Sequence, residues 1–134
     1  MRKVKRSYNF WIYQGPALAW ALLIFILSSI PGDNLPQMGF EFEDKFEHFL
    51  AYAAIGFLFA RAFFFQSRFP GLREKYILAT LAAGILFGVS DELHQYFVPG
   101  RVSDLYDLIA DALGVVMGVF LFRALLWRGL VSET

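Results

Sequence analysis

The sequence predicts an all-α integral membrane protein, an up-and-down bundle of four transmembrane helices with both termini in the cytoplasm. The first ground is composition. Of 134 residues 57% are hydrophobic and 19% aromatic, and mean hydropathy is +0.50, beyond the roughly half-apolar make-up of a soluble domain. The second is length: four runs reach the ~20 apolar residues a spanning helix needs. The third is a lopsided distribution of basic residues.

The spans are read at 11–30, 46–66, 76–98 and 105–127, within a single membrane domain covering 1–134. The first opens with Pro16 near its start, where a helix tolerates proline best, and stops at Pro31-Gly32. The second ends in the polar run Gln66-Ser67-Arg68, and the third at Pro99-Gly100. Unalternating runs such as LAWALLIFIL and LAAGILFG favour helix over barrel strand. A buried soluble bundle would need polar faces that these segments lack. The first span could instead be a cleaved signal peptide, but its apolar stretch exceeds an h-region and no small-x-small site precedes Pro31.

Orientation follows the basic residues. Arg2, Lys3, Lys5, Arg6, Arg61, Arg68, Arg73, Lys75, Arg123 and Arg128, ten of the twelve Lys and Arg, fall on one side, which is the cytoplasm. Glu41, Glu43, Asp44, Asp91, Asp104 and their acidic neighbours fall on the other, so loops 33–43 and 99–103 face outward. The protein is expected in a cytoplasmic membrane. Cysteine is absent, which excludes disulfides, cysteine zinc sites and thiol nucleophiles. A net charge of zero argues against nucleic acid as a partner.

Polar residues inside the spans gather at the outer end. Asp44, His48 and Tyr52 recur at i, i+4, i+8 on one face of the second span. Gly84, Gly88, Asp91 and Gln95 form one seam of the third, and Asp107, Asp111, Gly114 and Gly118 one seam of the fourth. Each seam holds a GxxxG, the pattern that lets membrane helices approach closely, so the two are expected to pack against each other. Counting inward places Tyr52, Asp91 and Asp111 at equal depth, about 10 Å in, with Asp91 and Asp111 as a pair. His48, Asp107 and either His94 or Gln95 form a layer above. Lys45, Arg101, Ser103 and Asp104 rim the opening.

A carboxylate at membrane depth costs about 2.5–3.5 kcal/mol even on the gentler insertion scale, so stability of the spans does not explain Asp91, Glu92, Asp107 and Asp111. Plainer readings exist for others. Asp104 sits where a helix N-cap belongs, with Asp107 in the first turn. Ser90 could bond back to its own helix, Arg101 could simply neutralise the acids, and Lys45 could be a solvated interfacial charge.

These residues resemble the VanZ-like family of small bacterial membrane proteins. One block is Asp44-Lys45-x-x-His48-x-x-x-Tyr52; the other is Ser90-Asp91-Glu92-x-x-Gln95, Pro99-x-Arg101-x-x-Asp104-x-x-Asp107, then Gly114 and Gly118. Ser28 and Pro31 resemble the end of the family's first span, and the likeness covers roughly residues 20–120. This chain has Asp111 where the family usually has Asn. The resemblance implies a link to teicoplanin susceptibility and the cell envelope, and it implies fold and site more firmly than reaction.

Two function classes are open. An enzyme acting at the outer leaflet on a lipid-linked cell-wall precursor, or on membrane lipid, would use His48, Asp91, Glu92, Asp107 and Asp111 for chemistry. Asp44, Lys45, Tyr52, Ser90, Gln95, Arg101 and Asp104 would then bind substrate. The carboxylates would share a proton or hold a divalent cation, His48 being a base or a ligand. The alternative is a non-catalytic protein that shelters an amphipathic ligand or partner. Ion translocation is weaker, since the cytoplasmic halves of the spans offer few polar groups to continue a path.

Overall fold

The structure is a computed structural model that describes residues 9–37, 39–40 and 42–131. Arg2, Lys3, Lys5 and Arg6 of the basic tail, with Glu41 and Glu133, lie outside the described residues. Six α-helices follow in order, with one 3₁₀ turn (Gly32–Asn34) after the second: α1 (Phe10–Tyr13), α2 (Gly15–Ser28), α3 (Glu43–Phe65), α4 (Pro70–Glu74), α5 (Tyr76–Tyr96) and α6 (Leu105–Trp127).

Three of them, α3, α5 and α6, are long and apolar enough to cross a membrane. The expected first span is instead divided. Pro16 lies in the first turn of α2; it has no N–H to donate, and its ring would clash with the carbonyl four residues back in a continuous helix. The chain breaks at Gln14, whose side chain donates to the carbonyl of Ala62 at 2.9 Å. What remains, α2, has 14 residues, about 21 Å of helix. The third span closes at Tyr96 rather than 98, because two turn bonds, Phe97 N–H to His94 O and Val98 N–H to Gln95 O, tighten the chain ahead of Pro99.

The bundle is polar inside at one end and apolar outside along its length. Leu18, Leu22 and Phe25 of α2, Leu78, Leu86 and Leu93 of α5, and Leu113, Val116 and Phe120 of α6 are all exposed. Asp91, Glu92, Asp107 and Asp111 are buried. Water would reverse this arrangement, whereas lipid favours it. Two apolar clusters fill the rest of the interior, one around Tyr52, Ile55 and Val115 and one around Ala60, Val119 and Phe122.

Helix α6 lies against both α3 and α5, and the glycines settle how. A Cβ at Gly114 would fall 2.5 Å from the carbonyl oxygen of Phe49, and one at Gly118 would strike the carbonyl of Ala53. Both contacts are on α3. Gly56 of α3 returns the favour, since its Cβ would lie 2.7 Å from Val115 Cα. The α5 seam meets α6 elsewhere, Gly84 against the Val115 side chain and Gly88 against Asp111 and Leu108. The glycines of the two seams therefore do not face each other, although Gly88 does meet Asp111. The α6 glycines admit the backbone of α3, while the α5 glycines receive larger α6 side chains.

Candidate functional site

The ends of α2 and α5 and the starts of α3 and α6 come together at one end of the bundle. Deepest there, the Tyr52 hydroxyl donates to Asp91 Oδ2 at 3.1 Å. The Tyr52 ring stacks on that of His48, one α3 turn earlier, with an interplanar angle of 9°. His48 Nδ1 lies 2.8 Å from Asp111 Oδ1 and 3.8 Å from Glu92 Oε1. Glu92 reaches toward the loop, where Oε2 accepts from Ser103 Oγ and from the Asp104 backbone N–H, both at 3.1 Å.

Above this layer Lys45 gathers three carboxylates. Its Nζ lies 2.8 Å from Asp107 Oδ1, 3.1 Å from Asp104 Oδ2 and 3.4 Å from Asp44 Oδ2. Asp104 also caps α6, its Oδ1 accepting from Tyr106 N–H at 2.9 Å. That N–H first, and Lys45 second, hold the Asp104 carboxyl below the ordinary aspartate value. Asp44, Lys45, His48, Tyr52, Asp91, Glu92, Asp104, Asp107 and Asp111 thus form one connected network. Within it the expected Asp91–Asp111 pair takes separate partners, Asp91 the tyrosine and Asp111 the histidine.

Four further residues turn away from the acids, Ser90 in the way its plainer reading allowed. Ser90 is exposed and donates to the carbonyl of Phe87 on its own helix. Gln95 and His94 turn to α2, not to the acids: Gln95 Nε2 donates to Ser28 Oγ at 3.3 Å, and His94 Nε2 meets Ser29 Oγ at 2.9 Å while stacking on Phe25. Arg101 donates to the carbonyls of Ile30 at 3.0 Å and Leu27 at 2.7 Å. A helix leaves its last carbonyls without partners and its C-terminus partly negative, so the guanidinium fits that end. The reading of Arg101 as neutralising the acids is therefore replaced. The roles of Ser28 and Ser29 as anchors for α5 were not legible beforehand; only the family-like position of Ser28 signalled them.

A cavity of about 500 Å³ opens beside the network, lined by Pro36 and Phe40 of the loop, Glu43 and Asp44 of α3, and Gln95 and Arg101. Among the described residues two groupings could hold a divalent cation: Asp44, His48 and Asp107, and the wholly buried His48, Glu92 and Asp111. Within each, one ligand atom from every residue lies within 4.8 Å of the others. Glu92 Oε1, Asp107 Oδ2 and Asp111 Oδ2 are buried without a hydrogen-bond donor. Such oxygens are costly unless something positive meets them.

No curated protein and no solved structure matches the chain. A buried Asp–His–Glu–Lys network at one end of an apolar helical bundle, built from the two quoted motifs, is accompanied by a match over residues 10–128, and the chain belongs to the VanZ/LLP1 family.

Proposed function

We propose that this chain is a single-domain, four-span protein of the bacterial cytoplasmic membrane with both termini inside. In this reading its outward-facing site acts on the polar headgroup of a lipid-linked or cell-envelope substrate. The first span is then α1 and α2 together, 10–28, about 28 Å long despite the break. The basic side of the chain supports the orientation. One observation carries the function: ionisable groups from three helices are buried together where the rest of the molecule presents Leu, Val and Phe to its surroundings. A bundle needing only to span would not carry them.

In this reading His48, Glu92 and Asp111 are the reactive centre, joined by Asp107 above and Asp91 below. Tyr52 orients Asp91, and Asp104 and Lys45 position Asp107. Gln95 and Arg101 act as positioning residues that hold the end of α2 and one wall of the cavity, while Asp44 lines its mouth. The headgroup enters that cavity from the outer leaflet, and the lipid chain stays against the exposed apolar faces. Hydrolysis or group transfer at the headgroup is the reaction class that acids and an imidazole serve. A change in teicoplanin susceptibility on expression follows if the substrate is a wall precursor.

The test is turnover by the purified protein in lipid nanodiscs supplied with lipid-linked wall precursors. Parent protein converts them and Asp91→Asn does not; parent inactivity across that panel counts against the enzyme. A second reading, a non-catalytic shelter for an amphipathic ligand, is favoured by the fact that Lys45 and Arg101 are both already engaged. It predicts that the parent binds such ligands without converting them.

A further inference from the structure

We propose that His48, Glu92 and Asp111 hold one first-row divalent cation through His48 Nδ1, Glu92 Oε1 and an Asp111 carboxylate oxygen. The inference rests on the outward-facing reactive centre above and supplies its cofactor.

Geometry favours these three. Two ligands on one ion, at bond lengths of about 2.1 Å and tetrahedral or octahedral angles, lie about 3.0–3.4 Å apart. The separations from Nδ1, 2.8 Å to Asp111 Oδ1 and 3.8 Å to Glu92 Oε1, bracket that value. Burial favours them equally, because Asp111 is 1% and Glu92 6% exposed. Each also carries an oxygen with no donor, Asp111 Oδ2 and Glu92 Oε1. Gly88 keeps the space beside Asp111 open, since a Cβ there would come within 3.2 Å of Asp111 Oδ2.

The competing grouping fares worse. Asp107 already faces Lys45 at 2.8 Å, and an ammonium and a metal ion would repel each other there. Asp44 is exposed and 4.0 Å from His48 Nε2.

Ligand chemistry narrows the ion. One imidazole and two carboxylates suit Mn²⁺ or Zn²⁺, whereas Ca²⁺ requires six to eight oxygens that the site does not offer. Three protein ligands leave coordination positions open, as catalytic sites require. When bound, the ion would supply Lewis acidity toward a headgroup oxyanion.

The test is Mn²⁺ binding by the purified full chain in detergent, read by electron paramagnetic resonance and calorimetry. The expected result is one saturable Mn²⁺ per chain, displaced by Zn²⁺ and not by equimolar Ca²⁺. Asp111→Asn, which keeps the side-chain shape, weakens binding about tenfold or more. Glu92→Gln does the same, and Asp44→Asn leaves affinity near the parent's. Absence of saturable binding by the folded parent overturns the proposal, as does Asp44→Asn matching the loss in Asp111→Asn. Binding needs no turnover. Mn²⁺ bound with no conversion of lipid-linked precursors would sink the enzymatic reading and leave the cation site standing.

Discussion

Replacing Gly114 by alanine tests the crossing that brings His48 and Tyr52 to the α6 carboxylates. The new Cβ would stand 2.5 Å from Phe49 O, 2.9 Å from Ala53 N and 3.0 Å from Tyr52 Cβ. Ordinary carbon contacts begin near ~3.5 Å, so α3 and α6 must separate by about 0.5–1 Å. Two of the three obstacles are backbone and cannot swing aside. Overpacking of this kind costs about 1–3 kcal/mol, and alanine's better helix propensity offsets up to about 1 kcal/mol. The net loss is about 1–2 kcal/mol, or roughly a 5- to 30-fold shift toward the unfolded state. Gly15→Ala is the control, because its nearest neighbour would be the Trp11 side chain at 3.7 Å. Thermal unfolding in detergent, followed by circular dichroism, should rank Gly15→Ala with the parent and Gly114→Ala clearly below it. Gly88→Ala, with contacts of 3.2 Å and longer to side-chain atoms only, should fall between. If Gly114→Ala melted with the parent while Gly88→Ala collapsed, the close partner of α6 would be α5, and the packing described above would be wrong.

A cysteine at Gln37 should react with an impermeant thiol reagent added to intact cells and one at Ser67 should not; the opposite labelling would invert the site. Arg101→Gln should lower the melting temperature and raise hydrogen exchange at the end of α2, because two charged hydrogen bonds of about 1.5–3 kcal/mol each are lost or weakened, whereas unchanged exchange there would show that α2 is held by Ser28 and Ser29 alone. Tyr52→Phe should leave the fold intact and reduce turnover or resistance, since Asp91 loses the hydroxyl at 3.1 Å; Asp91→Asn should abolish function while the protein still purifies as folded. Full function in Asp91→Asn would remove that residue from the mechanism.

Helical periodicity made much of the site legible. The i, i+4, i+8 row of Asp44, His48 and Tyr52 placed three side chains on one face of α3, and that face does meet α5 and α6. Depth counting put Tyr52 level with Asp91, which the hydrogen bond between them matches. What stayed hidden depended on partners distant in sequence. Arg101 sits beside acids in the sequence, yet the acceptors it reaches are the carbonyls of Ile30 and Leu27 at the end of the first span, 71 and 74 residues earlier. A GxxxG says that something approaches closely and not what approaches, so Gly114 and Gly118 were assigned to α5 when α3 occupies them. The break in the first span was readable in principle from Pro16, whose place in the first turn of α2 ends α1 as surely as it begins the next helix.

The charge pattern of the network bears on what completes it. Six carboxylates, Asp44, Asp91, Glu92, Asp104, Asp107 and Asp111, face one lysine and one histidine. Lys45 spends its charge on the upper layer, against Asp44, Asp104 and Asp107. Asp91 has a phenol, a neutral donor. Glu92 and Asp111 are left to share His48, and a single imidazole N–H serves only one of the two oxygens that face it, at 2.8 and 3.8 Å. Apolar surroundings cannot screen the remainder. Among the described residues no further cation pairs with it, Arg101 being committed to the carbonyls of Leu27 and Ile30. The two buried oxygens without a donor in the lower layer, Glu92 Oε1 and Asp111 Oδ2, belong to the two residues that share His48, and either shared protons or one divalent cation would balance the pair of carboxylates.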